Sequence, residues 1–152
     1  MKDIGDGSIA KETPDCSVTK MKNHPHIHTI STTDFFYPLV EDPYLQGRIA
    51  CANVVSDVYA MGIDRIDNIL MVLALSLQMN EQEREIVTKQ MIAGFNDCAQ
   101  EAETLVTGGQ SVMNPWPIIG GVANVTCLEE EYVKVNQGVP GDILVLTKPL
   151  GT

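Results

Sequence analysis

A chain of 152 residues with 44% apolar side chains is long enough to bury one core, which sets aside wholesale disorder and predicts a single domain. Twenty acidic residues against ten basic ones leave a net charge of −10, a balance that excludes a protein gripping nucleic-acid backbones through Lys and Arg. A phosphate-bearing ligand would bind such a surface only through a mediating cation, the first hint of Mg2+ chemistry.

Residues 1–22 are polar and without periodicity, and are expected to form a flexible N-terminal arm ahead of one domain over residues 23–152. Asn23-His24-Pro25 reads as a turn, and residues 26–33 as a strand carrying the β-branched Ile27, Thr29, Ile30, Thr32 and Thr33. Pro38 and Pro43 punctuate a loop. Residues 44–61 then turn helical, with Leu45, Ile49, Ala52 and Tyr59 near one face, Val55 beside them and Gly62 as the stop. The run from Ile69 to Leu75 is apolar throughout, which fits a central strand covered on both faces. Asn80 and Glu83 are spaced as a capping box for a second helix. Its inner face is Ile86, Val87, Met91, Phe95, Cys98, Ala99 and Ala102, while Glu81, Glu85, Lys89 and Asp97 face water.

Residues 105–107 read as a short strand running into Gly108-Gly109, and residues 118–127 and 142–147 as two more, with turn chemistry in Val139-Pro140-Gly141-Asp142 between them. Trp116, set between Pro115 and Pro117, is expected to anchor a strand start. This alternation predicts an α+β fold, a ferredoxin-like mixed sheet with two long helices on one face; other open α/β sheets are the alternative. The closing Lys148-Pro149-Leu150-Gly151-Thr152 reads as a domain boundary, with more protein expected beyond it.

Cys16, Cys51, Cys98 and Cys127 include no C-x-x-C pair, which argues against a zinc site and against a disulfide framework. No basic-then-apolar leader and no membrane-length apolar run occurs, so the expected location is cytoplasmic.

Three aspartates carry the sharpest chemistry: Asp15, Asp34 where a strand exits into a loop, and Asp57 on a helix one turn after Asn53. Mg2+ takes hard oxygen ligands, usually one or two carboxylates plus substrate phosphates, and dispersed carboxylates converging on a nucleotide would serve it. A solvated helix residue and a turn former are the plainer readings of Asp57 and Asp34, and from pattern alone they stay open. Paired glycines let backbone N–H groups approach an anion, so Gly108-Gly109-Gln110-Ser111 is a candidate phosphate loop, though no Walker Lys follows. His24, His26 and His28 alternate as on one strand face; an exposed hairpin is the favoured reading over a metal cluster.

The strings from Thr32 to Tyr44 and from Gly47 to Gly62, with Val106-Thr107-Gly108-Gly109-Gln110-Ser111-Val112, Asn114-Pro115-Trp116 and the run from Gly141 to Thr152, closely resemble selenophosphate synthetase (selenide, water dikinase), particularly its animal forms. The resemblance covers about residues 30–152. It implies an ATP-dependent phosphotransferase that makes selenophosphate from selenide and ATP, releasing AMP and phosphate. It further implies the N-terminal domain of the aminoimidazole ribonucleotide (AIR) synthetase-like superfamily, Mg2+ as cofactor and a homodimer or association with full-length subunits. By the same resemblance Asp15 and Asp57 are Mg2+ ligands, Asp34 and Asp57 contact the nucleotide, and Gly108, Gly109, Gln110 and Ser111 line the phosphate pocket. Asn53 joins the nucleotide set by its position one turn before Asp57. Asp34, Asp57 and Gly108-Gly109 are accordingly expected to lie close together, and a wide separation of Asp57 from Gly108 would count against a nucleotide site built from both.

Three departures qualify the resemblance. The family's reactive Cys or selenocysteine followed by Lys has no match here, because Lys11 lacks that neighbour and Cys16 follows Asp15, so no catalytic residue is nominated. Glu12-Thr13-Pro14 stands where the family usually has glycines, and the family's C-terminal domain is not among these residues. The alternatives are a non-catalytic dimerisation or regulatory domain of the same family, and a relative of thiamine monophosphate kinase, against which Asn114-Pro115-Trp116 argues.

Overall fold

A computed structural model describes residues 15–134 and 136–151. Five strands and two long helices follow one another as β1 (Ser17–Met21), β2 (His24–Phe36), α1 (Pro43–Ala60), β3 (Asn68–Ser76), α2 (Glu81–Glu101), β4 (Val106–Asn114) and β5 (Ile118–Leu128), closed by a single 3-10 turn at Glu129–Glu131. The strands make one sheet in the order β1-β2-β5-β3-β4. β5 runs antiparallel to both its neighbours, whereas β3 and β4 are parallel and joined by α2 as a crossover. The class is the α+β mixed sheet expected. In its wiring a single strand, β3, lies between the helices where the ferredoxin-like plan has a hairpin, and β5 follows β4 directly.

Strand alternation decides which residues enter the core. On β2, His28, Ile30 and Thr32 are buried and point toward the helices, while their neighbours are more exposed. On β5, Ile119, Ala123 and Val125 do the same, and on β3 Ile69, Met71 and Leu73. Phe95 of α2 is fully buried against this layer, with its ring edge close to Gly121.

Both helices start on their caps. The Asp42 carboxylate accepts from Tyr44 N–H at 2.8 Å and Leu45 N–H at 3.2 Å, and Pro43 occupies the first helical position, where a missing N–H costs nothing. Asn80 and Glu83 form the reciprocal capping box at 2.9 and 3.0 Å. The helices cross where neither has a side chain: a Cβ on Gly47 would strike the Met91 carbonyl oxygen, and one on Gly94 the Tyr44 carbonyl oxygen. The Tyr44 hydroxyl donates to Asp97 at 2.8 Å, and Arg48 grips Glu101 through two bonds of 2.8 and 2.7 Å alongside.

Several expectations need correction. The arm does not extend to residue 22, since Ser17–Met21 pairs with β2 as an edge strand; residues 1–14, with Lys11 and Glu12-Thr13-Pro14, lie outside the described residues. On α1 the buried stripe is Gly47, Ala50, Cys51, Val54, Val55 and Val58, and Leu45 and Tyr59 are exposed. Small residues, which carry little hydrophobic weight in a pattern, are what the close crossing requires. On α2 Ile86 also faces out.

β3 is an interior strand beside the edge strand β4, with β5 at the centre, and the sheet face away from the helices is open, so Leu70 is exposed, and Phe35 and Val112 share that openness on β2 and β4. The strand expected over 142–147 has no strand partner among the described residues: the Val139–Asp142 turn forms, and Ile143, Leu144, Val145 and Leu146 beyond it lie in solvent. A strand persists through its ladder, so a strong β propensity without a partner does not make a strand.

Candidate functional site

The carboxylates meet where α1 passes over the end of β2. Asp34 lies two residues beyond Thr32 on the strand, so both side chains face the helix, and Asn53 and Asp57 lie one helical turn apart on α1. The Thr32 hydroxyl donates to Asp57 Oδ2 at 2.6 Å, and Asn53 Nδ2 donates to Asp34 Oδ2 at 3.0 Å. These two bonds bring the Asp34 and Asp57 carboxyl groups into one neighbourhood, close enough for each to feel the other's charge. Burial, then the Asp57 carboxylate, hold the Asp34 carboxyl above the usual carboxylate range, while the Asn53 amide pulls it down.

Cys16 sits beneath the pair, its thiol donating to the Asp57 carbonyl at 3.3 Å. Burial, reinforced by the charges of Asp57, Asp15 and Asp34, pushes that thiol up to about 12. Cys16 is therefore an un-ionised packing group with no nucleophilic character at neutral pH. Asp15, the residue before it, is exposed at the start of the described chain.

The glycine segment lies elsewhere. Gly108, Gly109, Gln110 and Ser111 belong to β4, an edge strand, so Gly108-Gly109 is part of a ladder and forms no loop or nest. Gly109 has φ +148° and its α-carbon passes so close to β3 that a Cβ would strike the Met71 carbonyl oxygen. The strand register puts Asp34, Gly121, Met71 and Gly109 in one row across the sheet. Three strand spacings of about 4.8 Å separate the ends of that row by roughly 14 Å. One chain does not bring the carboxylates and the glycines together, contrary to expectation. Gly108–Ser111 instead edge a separate pocket of about 310 Å³, shared with Asn96 and Ile92 of α2.

The histidines divide. His24 and His26 are exposed at the start of β2 and meet edge to face at 6.0 Å, while His28 is buried against the Tyr132 ring at 5.6 Å. Trp116 is half-exposed and packs edge-on to Tyr37 at 5.9 Å. Among the described residues no three His, Cys, Asp or Glu side chains converge tightly enough to hold a metal ion by themselves. No helix of the described residues is long and apolar enough to cross a membrane. Sequence reasoning missed Thr32 as part of the cluster; its place two residues before Asp34 on one strand face was the available signal.

Comparison with known proteins fits this geometry into a lineage. The chain is 62% identical over 129 residues to selenide, water dikinase 2 of Mus musculus, a match covering 85% of this chain and 28% of that protein. It is 56% identical over 138 residues to selenide, water dikinase of Dictyostelium discoideum, covering 91% of this chain and 38% of that one. The chain thus spans well under half the length of these relatives. Among solved structures, AaThiL complexed with AMPPCP and TMP superposes with a TM-score of 0.67 at 17% identity, covering 83% of this chain and 38% of that one, a likeness of fold. The family model of the AIR synthase related protein, N-terminal domain, matches residues 13–127, and the chain belongs to that family.

Proposed function

We propose that this chain is the ATP- and Mg2+-binding N-terminal part of an enzyme that makes selenophosphate from selenide, ATP and water, with AMP and phosphate as the other products. The observation that carries the reading is the meeting of Asp34 and Asp57 between β2 and α1, each held by a neutral donor from the opposite layer and neither reached by a salt bridge among the described residues. Two such groups cannot both ionise at low cost without a cation between or beside them. An oxygen-only pair suits Mg2+, which takes one or two carboxylates and completes its shell with phosphates and water. The AMPPCP in the AaThiL complex and the names of the 62% and 56% identical relatives support the same reading.

In this proposal Asp57 and Asp15 hold Mg2+, Asp34 and Asp57 face the nucleotide, and Asn53 fixes Asp34. When bound, Mg2+ neutralises the polyphosphate beside these acids. Gly108, Gly109, Gln110 and Ser111 line the phosphates. Their distance from Asp34 means that the two parts meet on one nucleotide only if the ligand reaches across the sheet or a second copy supplies one of them. The uncovered apolar face of the sheet, with Phe35, Leu70 and Val112, supports a homodimer in which that face is buried. A cytoplasmic location belongs to the reading and agrees with four free cysteines.

The same open face favours a second reading, in which these residues act as a non-catalytic dimerisation domain. Calorimetric titration with ATP in the presence and absence of Mg2+ tests the first; Mg2+-dependent binding lost in Asp57→Asn supports it. AMP release from ATP and selenide by the isolated chain would exclude the second.

A further inference from the structure

The carboxylate pair is held by two neutral donors that cross between the layers. Thr32, on the sheet, holds Asp57 of the helix, and Asn53, on the helix, holds Asp34 of the sheet. The Thr32 bond is the shorter, at 2.6 Å, and it is the better shielded, since Thr32 is only 6% exposed. Its direction is set before any ligand arrives. Strand alternation turns Thr32 inward between Ile30 and Asp34, its β-branch restricts χ1, and it pairs across the ladder with the small, fully buried Ala123.

We infer that Thr32 is a positioning residue for the proposed divalent-cation site, its hydroxyl fixing Asp57 by Oδ2 so that the carboxylate is presented in one orientation. The inference rests on the metal–nucleotide reading above and adds a residue to it. A hydroxyl suits the task because it occupies one carboxylate oxygen without bringing a positive charge that would compete with the cation, as Lys or Arg would. Free rotation of Asp57 would otherwise have to be arrested by the cation itself. The same bond ties β2 to α1, so the orientation of the ligand is inherited from the packing of the two layers.

The test uses the whole 152-residue chain and the Mn2+ complex of AMPPCP as probe, with binding followed by the Mn2+ electron paramagnetic resonance signal. Thr32→Val, nearly isosteric but without the donor, is expected to weaken binding about 10–100-fold, and Thr32→Ser to stay within about threefold of wild type. Thr32→Cys, which retains a weak donor of similar size, falls between them and replaces the valine variant should that one fail to fold. Weakened binding by Thr32→Val with an unchanged urea midpoint is the result a merely structural role does not produce. Binding by Thr32→Val or Thr32→Cys at wild-type strength, with Asp57→Asn binding abolished, overturns the inference and leaves the metal–nucleotide reading standing. Equal binding, or none, by wild type and Asp57→Asn overturns the metal–nucleotide reading and this inference with it.

Discussion

Gly47 and Gly94 make room for each other's helices: Gly47 lies under the Met91 carbonyl and Gly94 under the Tyr44 carbonyl. In an ordinary helix interior, replacing Gly by Ala stabilises by about 1 kcal/mol. Here the sign reverses, because backbone oxygens occupy the space and cannot rotate away. Gly47→Ala and Gly94→Ala are each expected to lower stability by about 1–3 kcal/mol, read as a lower urea midpoint with an unchanged slope.

Asp34 gives the stability a pH dependence of defined sign. Its carboxyl is held above the ordinary value by burial and by Asp57, so the folded state binds the proton more tightly than the unfolded chain does. Its contribution is therefore fully present below the unfolded value of about 3.9 and is lost as pH rises through the higher folded value. Asp34→Asn removes that loss. The variant is expected to unfold at a higher urea concentration than wild type at pH 7, with the difference shrinking toward pH 4. A difference that grows on acidification contradicts the assignment.

Glu103, just past the end of α2, adopts φ +54°, the left-handed conformation that glycine takes without cost. Glu103→Gly is expected to stabilise by up to about 1 kcal/mol, with thermal denaturation as the measurement. A loss would mean that the Glu103 side chain makes a contribution larger than its backbone strain.

The open sheet face provides a test of assembly. Leu70 points out from β3, next to the edge of the sheet, at 37% exposure, where a charge is tolerated by the monomer and excluded from a packed interface. Leu70→Glu is expected to shift sedimentation toward a monomer while leaving the circular dichroism unchanged. An unaltered dimer would place the interface elsewhere.

Much of this architecture was legible in the residues. The Asn80–Glu83 capping box, the helix stop at Gly62 and the apolar run of β3 all express themselves locally, so short-range pattern found them. The buried stripe of α1 did not, because Gly47, Ala50 and Cys51 signal a close crossing only once the partner helix is known. The Gly108-Gly109 pair misled for a related reason. Its glycines serve a tight approach to Met71 between parallel strands, and that neighbour lies more than thirty residues away in the chain. Asp34, Asn53 and Asp57 were found and do assemble, the first from its strand exit and the others from helical spacing. Thr32 escaped notice because a threonine in a strand carries no sign of the helix carboxylate above it.

The segment from Ile143 to Leu146 bears on how this protein behaves in concentrated solution. Four consecutive β-branched or long apolar residues stand 69–96% exposed, on a molecule whose sheet ends in the unpaired edges of β1 and β4. Each molecule thus carries an unpaired segment of high β propensity beside open sheet edges, a combination that favours strand addition between copies. At neutral pH the net charge of −10 opposes such contacts by mutual repulsion. Acidification or high salt removes that barrier while leaving the strand chemistry intact, so turbidity should rise with ionic strength and fall when a proline is placed at Val145.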